Sequence, residues 1–322
     1  LFAREDSDDC AAALTHYRRQ ATDLASVGVS TEVVEGQAAR ELSGSPVLAG
    51  GIRFPSDAQF HSGKFVTGLS AVLKGRRGVR VYEGCSVSAV VPVGTSDRRR
   101  VEVTANGYRL LAQHVVVATN AFAPQLVPHL VRRVRPERGQ VLVTEPLAHR
   151  PCRGSFGTSL AWWRDIREPN GRFRLLFGGA RHRDQPDSLL PAVDRRGRRS
   201  GALWARGSTP TVAHQRRLDT QLHQLFPELR GVAVTHRWAG VQAYTADAIP
   251  VVGAFAPERH IHGAAGFSGN GNAFSNVAAE YLMGLILTGS DSDRLPEQHR
   301  RTAAQLFHVG RPPAEWSASS GG

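Results

Sequence analysis

A glycine-rich stretch, Gly266-Phe267-Ser268-Gly269-Asn270-Gly271-Asn272, leads directly into an apolar segment, Ala273–Leu287. The first turn of a helix exposes unpaired backbone N–H groups and the positive end of the helix dipole, and glycines let a ligand approach that backbone closely. The stretch therefore predicts a helix whose N-terminus can face an electron-rich ligand. Taken alone, the glycines fit equally well a loop that only needs left-handed backbone and close packing.

Short predicted β-strands precede this stretch in the sequence. Val251–Val252 and Ile261–Gly263 precede it, and His114–Ala118 is an apolar run far upstream. A run that is apolar throughout is typical of a strand covered on both faces of a parallel sheet. These strands and the helix are therefore expected to form one α/β unit.

The character of the sequence changes from about 121 to 233. Strands such as Gln140–Thr144 and Phe173–Phe177 alternate there with long polar insertions, and helical spacing follows at Val212–Leu225. This change predicts a separate antiparallel lobe inserted between two parts of the first.

The N-terminal part predicts a mixture of helices and hairpins from its spacing of apolar and turn residues. In chain order these elements are a helix from Asp8 to about Ala25, a strand at Thr31–Val34, a turn at Gly50–Pro55 that enters an extended piece, a helix at Lys64–Lys74, β-rich pieces at Val79–Tyr82 and Ser86–Val91, and a hairpin of Val101–Thr104 and Tyr108–Leu111 around Asn106-Gly107.

Composition limits the class of protein. The 322 residues carry a formal charge of +12, but only Lys64 and Lys74 are lysines and the arginines are scattered, so we expect no nucleic-acid binding. The three cysteines show no zinc-binding spacing, and we expect no metal site. Neither a signal peptide nor a membrane span is predicted, so the expected compartment is the cytoplasm.

Several segments together resemble the flavin-dependent oxidoreductases of the D-amino-acid oxidase superfamily, closest to the glycine oxidase and gamma-glutamylputrescine oxidoreductase branches. The resemblance covers about 50 to 289 in the right order, and its last segment is the most specific. The segments are Gly51–Pro55 with Gly68-Leu69, Gly78–Glu83 with Val87, His114–Ala121, Arg138-Gly139-Gln140, and Trp238–Gly253 followed by Gly266–Gly271.

The resemblance implies an α/β fold with an incomplete FAD/NAD(P)-binding Rossmann-like lobe and an inserted, α+β substrate lobe built on an antiparallel sheet. The corresponding division of the chain is 1–50 as a helical lead-in to the substrate lobe, 51–121 as FAD-binding part, 122–234 as substrate-binding lobe, 235–290 as C-terminal FAD-binding part, and 291–322 as a C-terminal helix and disordered tail. The sequence also lacks a G-x-G-x-x-G turn before Gly50 and begins with Leu1, so we expect an upstream dinucleotide-binding segment to be missing from it.

The implied cofactor is FAD, bound without a covalent link, with its flavin ring between the lobes and the N-terminus of the last helix facing the ring. The implied reaction is hydride transfer from an amine-bearing carbon to flavin N5, giving an imine that water hydrolyses, with oxygen or another acceptor reoxidising the flavin. The residues that the resemblance assigns to the cofactor are Val87, Ala118, Thr119, Asn120, Trp238, Gly240, Asp247, Pro250, Gly266, Gly269, Asn270, Gly271 and Asn272.

Substrate residues are predicted beside the last segment. Relatives that oxidise simple amino acids commonly carry an arginine two residues after the glycine that matches Gly240, whereas this chain has Gln242. The difference favours an amine, or an amino compound whose carboxylate is held elsewhere. Tyr244 and Arg181 are further candidates, while Trp162 and Trp163 fit core packing better than a substrate wall. No catalytic acid or base is assigned.

Two other interpretations remain open. The chain could be a truncated, non-catalytic remnant that acts as a binding or partner subunit, and a nucleic-acid-binding role would rest on charge alone.

Overall fold

A computed structural model describes residues 2–4, 10–94, 100–179, 203–255, 260–288 and 307. The strands in this part of the chain are β1 (Phe2–Arg4), β2 (Glu32–Glu35), β3 (Leu48–Arg53), β4 (Val87–Val93), β5 (Arg100–Ala105), β6 (Tyr108–Ala112), β7 (Val115–Val117), β8 (Arg135–Thr144), β9 (Ser155–Gly157), β10 (Ala161–Arg167), β11 (Phe173–Gly179), β12 (Val234–Tyr244), β13 (Val251–Ala254) and β14 (Ile261–Ala265). The helices are α1 (Cys10–Ser26), α2 (Gly36–Ser43), α3 (Ser62–Lys74), α4 (Ala123–Leu126), α5 (Leu203–Ser208), α6 (Val212–Leu225) and α7 (Gly271–Thr288).

The inserted lobe is built on a five-stranded antiparallel sheet in the order β12-β8-β11-β10-β9. Its inner face packs against α6, with Trp163, Phe177 and Leu218 fully buried in one core. Trp163 also donates its indole N–H to the carbonyl of Ser43 at 3.0 Å. The other face is more open, since Trp162 and Trp238 are 41% and 45% exposed.

A small sheet in the order β13-β14-β7 holds the C-terminal elements, and β14 runs parallel to β7. Val117, Val251 and Phe255 lie in its core. The predicted fold class, α/β with an inserted antiparallel lobe, is confirmed. Val116 of β7 is 46% exposed, however, so the expectation that this strand is covered on both faces is wrong. No strand pairs with β7 on the side away from β14 among the described residues.

Two further sheets, β1-β3-β2 and β4-β5-β6, belong to the N-terminal part. The predicted turn at Gly50 is wrong, because β3 runs straight through it. A Cβ at position 50 would lie 2.7 Å from the carbonyl oxygen of Val34 and 2.8 Å from Leu14 Cδ2, so this glycine allows close packing rather than a turn. The predicted β-rich piece at Val79–Tyr82 is also wrong, since these half-exposed and exposed residues have no strand beside them in the described part.

Helix α3 confirms the periodicity of its sequence but buries none of its residues. Phe65, Val66, Leu69 and Val72 are all exposed. An apolar helix face of this kind normally packs against another element.

The domain boundaries remain predictions; β12 belongs to the sheet of the inserted lobe and begins at Val234. Arg181 and the tail after Gly310 lie outside the described residues. Within the described part, no helix is both long enough and apolar enough to cross a membrane.

Candidate functional site

The outer face of the five-stranded sheet carries four of the predicted site residues on one strand. Trp238, Gly240, Gln242 and Tyr244 alternate along β12 and therefore point to the same side. Their partners on β8 are, in the same order, Val141, Gly139, Glu137 and Arg135. We call these eight residues the platform. A cavity of about 260 Å³ lies over the Trp238 end of the platform, from Trp238 to Gln242, and is also lined by Trp162 and Gly179.

Glycines on the sheet surface leave room for the side chains that line this cavity. A Cβ at position 178 would lie 2.5 Å from Trp162 Cζ2 and 2.8 Å from Val141 Cγ1, so the indole ring lies directly over Gly178. A Cβ at position 139 would lie 3.1 Å from Gln242 Cδ. Gly240 differs from both, because a Cβ there would meet nothing within 4 Å. The space above Gly240 is thus open for a flat ligand.

Trp162 and Trp163 point to opposite faces of β10. Trp163 is fully buried, which confirms the prediction of core packing, whereas Trp162 is 41% exposed and lines the cavity. For Trp162 the preferred prediction was wrong. Alternation along a strand makes one of two neighbouring tryptophans face outward, so the strand register could have separated them.

Polar groups are fixed at the Tyr244 end of the platform. The Tyr244 hydroxyl donates to Gln242 Oε1 at 2.7 Å. Arg135 donates through Nε and Nη2 to Glu137 Oε1, at 3.0 and 2.8 Å. Glu137 is only 3% exposed, and a carboxylate so buried is tolerated because its charge is paired. The sequence reasoning missed Glu137 and Arg135, although pairing of β8 with β12 would have indicated them.

The turn that follows β12 is held by side-chain hydrogen bonds to the backbone. Thr245 Oγ1 donates to the carbonyl of Ile249 at 2.9 Å, and Asp247 Oδ1 accepts from the N–H of Ile249 at 3.1 Å. Ala248 takes a φ of +59° between them. Asp247, a predicted cofactor residue, therefore shapes this turn, and Pro250, a second one, lies between the turn and β13.

A long-range hydrogen bond joins two predicted cofactor segments. Asn120 Oδ1 accepts from the N–H of Gly266 at 3.0 Å, across 146 residues of sequence. Asn120 takes a φ of +44°, which asparagine adopts more readily than most residues. A Cβ at Gly266 would lie 2.5 Å from Thr245 Cγ2, and the φ there is +78°, so both position and backbone require glycine.

The N-terminus of α7 lies next to the platform. The Tyr244 hydroxyl is 3.7 Å from the position of a Cβ on Gly269, and the N–H of Ser268 donates to the carbonyl of Ala243 at 2.8 Å. Asn270 and Asn272 are exposed and Gly271 is half-buried at the start of the helix. The structure thus brings the glycine-rich stretch and the Tyr244 end of the platform together.

Three other predicted cofactor residues lie outside the platform. Ala118 and Thr119 are exposed directly after β7, and Val87 is the first residue of β4 in a separate sheet. Among the described residues, no group of three or more histidine, cysteine, aspartate or glutamate side chains could hold a metal ion.

Compared with known families, residues 2–285 match the family described as DAO, FAD dependent oxidoreductase. The chain belongs to this family. Two curated relatives are similar to this DAO-family chain. It is 24% identical over 261 residues to the probable oxidoreductase OrdL of Haemophilus influenzae, covering 78% of this chain and 52% of the relative. It is 25% identical over 261 residues to gamma-glutamylputrescine oxidoreductase of Escherichia coli, covering 79% and 54%. The chain spans about half the length of the curated relatives it matches.

Solved structures show the same fold. The glycine oxidase of Geobacillus kaustophilus superimposes with a TM-score of 0.71 at 18% identity, over 96% of this chain and 73% of that one. The L-proline dehydrogenase of P. horikoshii gives a TM-score of 0.70 at 20% identity, over 90% and 72%. The fold of this DAO-family chain is therefore that of the glycine oxidase structure, with mixed α/β architecture and antiparallel sheets.

Proposed function

We propose that this chain carries the substrate platform and the ring-binding side of an oxidoreductase that uses non-covalently bound FAD to oxidise an amine or amino acid to an imine, which water then hydrolyses. Membership of the family implies the cofactor. The single observation that carries the proposal is the open space above Gly240 in a cavity lined by Trp238 and Trp162. The N-terminus of α7 lies at the Tyr244 end of the same strand. FAD supplies the acceptor for the hydride that leaves the amine-bearing carbon, and oxygen or another acceptor reoxidises it.

The described residues fit the ring end of this cofactor. A planar group fits over Gly240, because even a Cβ there would meet open space. The start of α7 lies at the Tyr244 end, and the first turn of a helix leaves N–H groups without a helical partner. The positive end of the helix dipole would stabilise negative charge on the ring.

The side chains of the platform orient the substrate and exclude water. Trp162 and Trp238 present aromatic surfaces that attract a protonated amine. Gln242 has its Oε1 engaged by Tyr244, so its Nε2 is the group left to donate to a substrate oxygen. A neutral donor holds a carboxylate less tightly than an arginine fork, which favours amines over simple α-amino acids.

The names of similar proteins support the broader class of amines and amino acids, since they include gamma-glutamylputrescine oxidoreductase, glycine oxidase and L-proline dehydrogenase. The alternative is a chain that binds a small molecule or a partner without redox turnover. Of the two, the open space above Gly240 favours the enzyme.

The absorption spectrum of the purified chain, after addition of FAD and removal of the excess, tests the proposal. The matched sample is a version that carries any upstream coding sequence. We expect retained flavin in at least the longer version, and bleaching of its visible bands when an amine substrate is added without oxygen. Absence of flavin from both versions would refute the proposal, and flavin that no amine or amino acid reduces would favour the non-catalytic alternative.

A further inference from the structure

A second cavity, larger than that of the platform, lies at the β9 edge of the same sheet. Its volume is about 350 Å³, and it lies between the loop that follows β3 and residues 153–157. Leu42, Ile52 and Phe156 give it apolar walls, while Arg53 and Arg153 border it with positive charge. An apolar space with a few convergent polar groups is the usual form of a small-molecule site.

Hydrogen bonds fix the loop to the sheet and so give this cavity a defined shape. Ser155 Oγ donates to Gln59 Oε1 at 2.7 Å, and Gln59 Nε2 donates to Asp165 Oδ1 at 3.3 Å. Arg164 Nη1 donates to the carbonyl of Phe60 at 2.8 Å. Both ends of the Gln59 amide are thus used to hold the loop against the strands β9 and β10.

The two arginines differ in what they already bind. Arg53 donates to Glu32 at 2.7 Å, which neutralises its charge. Arg153 makes no side-chain hydrogen bond or ion pair within the described part of the chain, and its backbone N–H donates to Leu42 at 2.9 Å. Asp57 is the acidic residue on the cavity wall. Arg153 is therefore the group available to an incoming anion, and Asp57 would oppose it.

The strand register gives the distance between the second cavity and the platform. Gly157, on its wall, is paired with Trp162, which is paired in turn with Gly178 under the platform cavity. A Cβ at Gly157 would lie 3.7 Å from the carbonyl oxygen of Ala161 and 3.8 Å from Trp162 Cβ, and it would not meet the indole ring, which lies over Gly178. Two strand spacings separate Gly157 from Gly178, which is about 10 Å.

We propose that the second cavity binds the carboxylate end of an elongated amine substrate, whose amine end lies on the platform. Arg153 pairs with the carboxylate, the apolar walls cover the connecting chain, and Trp162 lies beneath its middle. The inference rests on the proposed function for the amine end. The expected substrates are amines that carry a carboxylate about 10 Å or more from the amine nitrogen.

Binding to the chain, followed by tryptophan fluorescence, tests the inference without need of flavin. The probes are ω-aminooctanoate and octylamine, which differ in the far carboxylate. We expect ω-aminooctanoate to bind about tenfold more tightly, as one charge-assisted hydrogen bond provides. Arg153→Gln should remove that difference, Arg153→Lys should retain part of it, and Asp57→Asn should increase it. Arg167→Gln is the matched control, because Arg167 is also exposed but does not line the cavity.

Equal affinity for the two probes, or an Arg153→Gln variant with the same preference as Arg167→Gln, would overturn the inference. Circular dichroism of each variant shows that it is folded. Turnover of the FAD-loaded protein separates the two proposals. Oxidation of both amines with a KM ratio that Arg153→Gln does not change refutes the second cavity alone. Tight binding of ω-aminooctanoate without oxidation refutes the proposed function alone.

Discussion

Replacement of Gly178 by alanine tests the geometry of the platform directly. The new Cβ would lie 2.5 Å from Trp162 Cζ2 and 2.8 Å from Val141 Cγ1. Carbon atoms prefer about 3.5 Å or more, so the indole ring must shift by about 1 Å. Overpacking of this size costs about 1–3 kcal/mol, against which the stiffer unfolded chain returns about 0.4–1 kcal/mol. We therefore expect Gly178→Ala to lower the free energy of unfolding by about 1–2 kcal/mol.

Denaturant unfolding followed by tryptophan fluorescence measures this loss. The matched control is Gly240→Ala, where the added methyl group meets nothing within 4 Å, and we expect its free energy of unfolding to stay within about 0.5 kcal/mol of the parent. In a Trp162→Ala background the cost of Gly178→Ala should fall by about 0.5 kcal/mol or more, because the clashing ring is gone. Equal unfolding midpoints for the two glycine variants, or a cost that Trp162→Ala leaves unchanged, would refute the described position of the ring.

Three further predictions concern other parts of the site and core. Asn120→Ala should lower the free energy of unfolding by about 1–3 kcal/mol, since the N–H of Gly266 loses its acceptor. Asn120→Asp, which keeps an acceptor oxygen, should cost less. Equal denaturation midpoints for Asn120→Ala and the parent protein would contradict this. Burial raises the pKa of the Cys152 thiol from 9.0 to about 12. The folded state thus favours the protonated thiol, and this contribution to stability is complete below pH 9 and is lost between pH 9 and about 12. A thiol reagent at pH 8 should modify exposed Cys85 and leave buried Cys152 unmodified until the protein unfolds. Gln242→Arg should raise kcat/KM for small α-amino acids relative to amines by about tenfold, and an unchanged ratio would count against a substrate contact at this residue.

Elements with strong periodicity were predictable from the sequence. The helix at Val212–Leu225 and the hairpin around Asn106-Gly107 have the bounds and turn that their patterns indicate. Gly50 was misread, because a glycine that yields space to Leu14 cannot be told from a turn glycine without knowledge of what packs against it. Local sequence carries no information about that neighbour.

The candidate site was predicted in part for a similar reason. Gln242 and Tyr244 lie two residues apart, so their common side of a strand follows from the sequence. Glu137 became part of the site only through pairing of β8 with β12, which joins residues about one hundred positions apart. The choice between Trp162 and Trp163 also depended on which face of the sheet α6 covers.

The hydrogen bond between Asn120 and Gly266 has a consequence for the order of folding. It closes a loop of 146 residues, and closure of so long a flexible loop costs about 4 kcal/mol of chain entropy. If the inserted lobe folds first, its own sheet brings the two ends of that loop close together before β7 and β14 meet. The lobe then acts as a preformed spacer, and the parallel pair forms by closing two short connections. Slow formation of the sheet of the inserted lobe would therefore delay assembly of the glycine-rich stretch, although none of that stretch lies within the lobe.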